Sequence, residues 1–95
     1  MNSFNYKTGK LIVNDKEYEL TKMQSKVLSC LIPNKLITYS DIYNYMYDVN
    51  IGYVECRYTR AISSHICRLR KTGLEIESKY GYGVRLVSKV CLQWL

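Results

Sequence analysis

The segment "RAISSHICRLRK", Arg60 to Lys71, concentrates reactive and charged side chains in one place. It holds Arg60, Arg68, Arg70 and Lys71, the thiol of Cys67, the only histidine, His65, and no acid. Three chemistries can be tested against it: nucleophilic catalysis, metal binding and contact with an anion. A nucleophile needs a positioned base and a third group that orients the base. With a single histidine in the chain, no such set can be assembled. The four cysteines, Cys30, Cys56, Cys67 and Cys91, show no CxxC spacing and no second histidine to join them, so no metal site is expected. The thiols read as unpaired and mostly buried. No glycine-rich loop of the nucleotide-binding kind is present, because "GYG" has no helix after it. No catalytic residue and no cofactor is therefore expected. Contact with an anion remains.

The charge distribution supports that reading. The net charge is +6. Residues 1–56 hold six lysines and six acids and sum to zero, whereas residues 57–89 hold eight Lys or Arg against Glu75 and Glu77. The whole excess lies in one third of the chain, which points to a polyanion. Periodicity places the cations on one side of a helix. Taking about 100° per residue from Arg60, the residues Ile62, Ile66 and Leu69 fall within about 180–240°. Arg60, Ser63, Ser64, Cys67, Arg68 and Lys71 fall between about −60° and +80°, with Arg70 at the edge of that arc. His65 lies on the rim of the apolar side and reads as a packing residue.

The remaining elements must hold this helix in position. "FNY", "KLIVN" and "EYEL", with turns at "KTG" and "DK", predict a small antiparallel sheet over residues 4–20. Thr21 and Gln24 form a capping box that opens a first helix, with Met23, Val27, Leu28 and Leu31 on its apolar face and Pro33-Asn34 at its end. Thr38 and Asp41 repeat the signal for a second helix, where Ile37 can staple onto Ile42. There Ile42, Tyr45, Met46 and Val49 are the expected core stripe, and Asn50 and Gly52 end the pattern. Tyr39, Tyr43 and Tyr47 form a second stripe, either half-buried or offering hydroxyls to phosphates. The third helix ends at Gly73, which suits the position just past a helix. "LEIESKYGYGVRLVS" reads as a hairpin over residues 74–88, with Val84 to Val87 as its return strand.

An α+β chain of small N-terminal antiparallel sheet, three helices over 21–73 and C-terminal β-hairpin wing fits a winged helix-turn-helix. The 95 residues are expected to form this one domain. In such a fold the last helix enters a major groove about 12 Å wide. Ser63, Ser64 and Cys67 are small enough to allow that approach. Arg68, on the exposed arc, suits the paired acceptors of guanine. Arg60 and Arg70 suit phosphates, and Lys71 joins them. Free N–H groups near the second helix start favour an anion at Thr38, although capping alone also accounts for that residue.

"LTKMQSKVLSCL", "RAISSHICRLRK" and "IESKYGYGVRL" together resemble the OmpR/PhoB-type winged helix, whose patterns are an LTxxE helix start, an RxVDxHIxxLRxK recognition helix and a GxGYR wing. The resemblance spans roughly residues 10–88, in the same order. It implies phosphate contact by Arg60 and Arg70, base contact by Arg68, and a groove floor near Ser64 and Cys67. It implies that Tyr82 approaches the DNA backbone and that Arg85 enters a minor groove. Gln24 replaces the family's Glu, Ser63 its Asp, and Val84 the wing Tyr.

The reading that follows is a cytoplasmic, sequence-specific regulator whose partner is double-stranded DNA, not an enzyme. The alternative is a winged helix that binds protein and no DNA. The placement of the entire net charge in the third helix and wing separates the two. The N-terminus has no apolar core of a signal peptide and no run spans a bilayer, and at this length no attached receiver is expected. The tail 89–95, "KVCLQWL", has two readings: self-association or tandem binding through Leu92, Trp94 and Leu95, or folding back onto the N-terminal sheet.

Overall fold

A computed structural model describes residues 2–32, 34–50, 52, 56–79 and 82–93, with backbone alone at 56–58 and 93. Strands β1 (Ser3–Asn5), β2 (Lys10–Val13) and β3 (Lys16–Glu19) form an antiparallel meander. The β2–β3 turn is Asn14-Asp15, at φ 52° and 67°. Two successive left-handed residues make the tight hairpin turn that matches strand twist. The turn therefore sits one residue earlier than the expected "DK". Alternation along β2 buries Leu11 and Val13 and exposes Lys10 and Ile12.

Helix α1 (Lys22–Leu31) begins with the expected capping box. The Gln24 N–H donates to Thr21 Oγ1 at 3.2 Å, and the Thr21 N–H donates to Gln24 Oε1 at 3.0 Å. Val27, Leu28 and Leu31 are fully buried. Pro33 lies outside the described residues. Asn34, at φ 61°, fixes the connection that follows, because its Nδ2 donates to Leu86 O at 2.8 Å and Ser88 O at 3.1 Å.

After β4 (Ile37–Thr38), α2 (Tyr39–Tyr47) is capped by the Thr38 hydroxyl, which accepts from the Asp41 N–H at 3.1 Å. The helix stops at Asp48, which is left-handed at φ 53°. Only half of the expected core stripe is inside. Ile42 and Met46 are buried, but Tyr45 and Val49 are 45% and 44% exposed. The early stop explains Val49, which lies beyond the helical repeat. Tyr39 and Tyr43 pack against the core, whereas Tyr47 is exposed with its ring centroid 4.7 Å from that of Tyr43.

Helix α3 (Cys56–Lys71) packs Ile62, Ile66 and Leu69 against α1 and α2, and Gly73 follows it at φ 103°. The wing is β5 (Ile76–Lys79) and β6 (Gly83–Leu86), with β4 on the other side of β6. The return strand thus begins at Gly83, one residue before the expected start. A Cβ on Gly83 would collide with the Ile37 carbonyl, so a residue without one lets β4 and β6 pair here. Tyr80 and Gly81 lie outside the described residues.

The tail takes the fold-back course. Strand β7 (Cys91–Gln93) runs parallel to β1 and completes the order β3-β2-β1-β7, with the Cys91 N–H donating to Asn2 O at 2.9 Å. Leu92 packs against the core, so it does not serve as an outward contact for a second copy. Trp94 and Leu95 lie outside the described residues. A single hydrophobic cluster joins the sheet (Phe4, Leu11, Val13), the helices and the wing (Ile76, Val84, Leu86). Among the described residues no helix is long and apolar enough to cross a membrane.

Candidate nucleic-acid interface

The burial of Ile62, Ile66 and Leu69 fixes the rotation of α3 about its axis and decides which side chains face solvent. Arg60, Ser63, Ser64, Cys67, Arg68 and Lys71 are all exposed. The arc derived from periodicity is a real surface of the molecule. Neither Arg60, Arg68 nor Lys71 makes a hydrogen bond or ion pair among the described residues. No acid occurs anywhere along α3, and Arg68, Arg70 and Lys71 fall in its last turn, where cations oppose the partial negative end of the helix.

Arg70 is placed differently. Its Nε and Nη2 donate to Ile76 O at 3.1 and 2.8 Å, and Nη2 also donates to Ser78 Oγ at 2.7 Å. The planar fork of a guanidinium can hold two acceptors on one strand at once. Arg70 thus fastens the end of the helix to β5. Sequence spacing gives no hint of this, because Ser78 and the Ile76 carbonyl reach Arg70 across a helix–strand junction.

The wing is attached on its other side as well. The Tyr39 N–H donates to Tyr82 O at 3.1 Å, so the hairpin tip touches the first turn of α2. This brings Tyr82 close in the chain's folded order to Thr38, the cap of that helix. Thr38 is half-buried, and Tyr82 is 51% exposed. The Lys79 ammonium lies 5.9 Å from the centre of the Tyr82 ring, a cation that the sequence reading did not single out. Arg85 and Glu77 stand directly opposite each other across β5 and β6, and Arg85 Nη2 donates to Glu77 Oε2 at 2.8 Å. Both side chains are largely exposed.

His65 is half-buried beside this surface. Its Nδ1 is buried without a hydrogen-bond partner among the described residues. Burial, and then the nearby Arg68 charge, holds its pKa below the usual imidazole value. A neutral ring in a packing role follows. The expectation of mostly buried thiols is corrected: Cys67 and Cys91 are exposed, and Cys30 is half-buried. Burial, aided by the Asp41 carboxylate, pushes the Cys30 thiol up to about 12, so it is un-ionised at neutral pH. Cys56 has no described side chain. Among the described residues no group of three or more His, Cys, Asp or Glu could share a metal ion.

No family model matches the sequence, and no curated protein matches it. Solved structures do. The DNA-binding domain of Bacillus subtilis CssR superposes with a TM-score of 0.73 at 17% identity, covering 92% of this chain and all of that one. The C-terminal domain of the nisin resistance regulator NsrR, a lantibiotic response regulator, gives 0.68 at 21% identity, covering 90% of this chain and 89% of that one. The three helices, the N-terminal sheet and the C-terminal hairpin therefore make the winged-helix fold of response-regulator DNA-binding domains.

Proposed function

We propose that the chain is a sequence-specific regulator of transcription that binds double-stranded DNA in the cytoplasm, with α3 in the major groove and the wing at an adjacent minor groove. One observation carries this reading: an acid-free helix keeps Arg60, Arg68 and Lys71 exposed and unpaired among the described residues, on the face opposite its buried side chains. Small residues between them, Ser63, Ser64 and Cys67, let the helix come close to base edges. Arg68 reads a base, Ser64 and Cys67 line the groove floor, and Arg60 and Lys71 hold phosphates.

Tyr82 and Thr38 add hydroxyl donors where the wing meets α2, and the cap leaves the Thr38 O–H proton available. Arg85 enters the minor groove and exchanges Glu77 for the negative potential there. Arg70, with Nε and Nη2 on β5, has the smaller share in phosphate binding and the larger share in aiming the wing. Two copies on tandem half-sites would meet through surfaces other than Leu92.

The test is selection of bound sequences from random DNA, followed by affinity measurements across a salt series. With about four phosphates neutralised, log K should fall against log salt with a slope of about −3 to −4. A flat response with no enriched sequence would favour the protein-binding alternative.

A further inference from the structure

A second cationic concavity lies away from α3, where the β1–β2 turn meets the start of α1. It is a cleft of about 410 Å³ lined by Lys7, Thr8, Gly9, Leu20, Lys22 and Ser25, together with the Tyr6 ring. No acid lines it. The ammonium groups of Lys7 and Lys22 make no ion pair or hydrogen bond among the described residues.

The helix terminus facing this cleft lacks the usual compensation. The N-terminal end of a helix carries partial positive charge and is normally balanced by Asp or Glu in the first turn. The first turn of α1 holds no acid and begins instead with Lys22. The capping box takes the Gln24 N–H, but the Lys22 and Met23 N–H groups have no carbonyl one turn back to receive them.

Independent support comes from Ser25. This residue is only 5% exposed, yet its hydroxyl has no hydrogen-bond partner among the described residues and opens into the cleft. Gly9 keeps space in front of it. At φ 73°, a Cβ there would stand 2.8 Å from Leu20 O and 3.6 Å from Ser25 Oγ. The Gly9 backbone is pinned in place by the Gly9 N–H donating to Asn5 O and the Leu20 N–H donating to Gly9 O, each at 2.8 Å.

We infer that this cleft binds a phosphoryl group. Two ammonium groups, an unpaired hydroxyl on a residue only 5% exposed and helix-terminal N–H donors, with no carboxylate among them, match a tetrahedral phosphoryl anion whose oxygens accept hydrogen bonds. That chemistry has two sources, a small phosphorylated molecule or the backbone of a nucleic acid.

The experiment uses the full chain, labelled with nitrogen-15 and without DNA, so that its outcome does not depend on the α3 reading. Inorganic phosphate is titrated at constant ionic strength, with chloride as the control. Saturable shifts of the Gly9, Lys22, Met23 and Ser25 amides are expected. Ser25→Ala and Lys22→Gln should each weaken the phosphate response about tenfold, as expected for losing a charge-assisted contact. Shifts that never saturate, that chloride reproduces, or that both variants retain unchanged would overturn the proposal. A second titration with duplex DNA separates the sources. Movement of the same amides, with a salt slope lowered by about 1 in Lys22→Gln, identifies the DNA backbone. Stationary amides identify a small phosphorylated molecule.

Discussion

The exposed arc of α3 and the edge of the wing are both cationic, but their donors stand in different states. On the arc, Arg60, Arg68 and Lys71 make no internal hydrogen bond or ion pair among the described residues. At the wing, Arg70 is held by β5 and Arg85 by Glu77. The sequence shows a cation at each of these positions, and the charges are equal. What differs is whether the guanidinium already has acceptors. A side chain with none can give all its donors to a base or a phosphate. One that is engaged must exchange partners, or else act by keeping the wing where it is.

The largest effect is expected at Arg70. Replacing it with alanine should lower stability by about 1–3 kcal/mol, because the Ile76 carbonyl and Ser78 hydroxyl lose a charged donor. For a domain of this size that is a fall in Tm of roughly 4–8 °C per kcal/mol. Thermal unfolding measures it, and amide exchange should show loosening at the wing. Arg70→Lys keeps the charge but loses the fork, so it should destabilise nearly as much. If Arg70→Ala instead kept full stability and lost affinity for every DNA alike, Arg70 would belong with the arc.

A smaller effect is expected at Arg85. Its pair with Glu77 is solvent-exposed, and such pairs contribute within about 1 kcal/mol. Arg85→Ala should leave Tm nearly unchanged and weaken binding mainly where the flanking minor groove is narrow, as in A-tracts. Affinities for matched sites with and without such flanks measure this. Equal losses on both would remove the wing from groove reading.

The smallest effect concerns His65, next to the arc. Its folded pKa lies below that of the unfolded chain, so the unfolded state takes up the proton first as pH falls. The contribution to stability is therefore intact above the ordinary imidazole value of about 6.5 and diminishes as pH drops through it towards the folded value. Unfolding curves between neutral and mildly acid pH should show this decline, and His65→Gln should lessen it. An unchanged profile would mean that the ring is solvated in both states.

How far the sequence could be read depended on the range of the interactions. The capping box of Thr21 and Gln24, the buried triplet Ile62, Ile66 and Leu69, and the polar arc opposite them are fixed by neighbours within two helical turns. They were legible for that reason. Helical periodicity does not show where a helix stops, and Asp48 ends α2 before Val49, whereas Tyr45, inside the helix, turns outward with its hydroxyl accepting from Ser29 Oγ at 3.3 Å. The course of the tail, the grip of Arg70 on β5 and the contact between Tyr82 and Tyr39 join residues distant in sequence. No local pattern encodes such contacts. The need for glycine at position 83 likewise arises from the Ile37 backbone, which only the folded sheet brings near.

Whether an unengaged arginine on α3 reads sequence is decided by Arg68→Ala, with affinity measured on the selected site and on scrambled DNA, and thermal stability as the control. The variant should lose about 1–3 kcal/mol on the selected site, relax its preference at one base pair, change little on scrambled DNA and keep its Tm. An equal proportional loss on both DNAs would make Arg68 a phosphate clamp and contradict the assignment of base reading to α3.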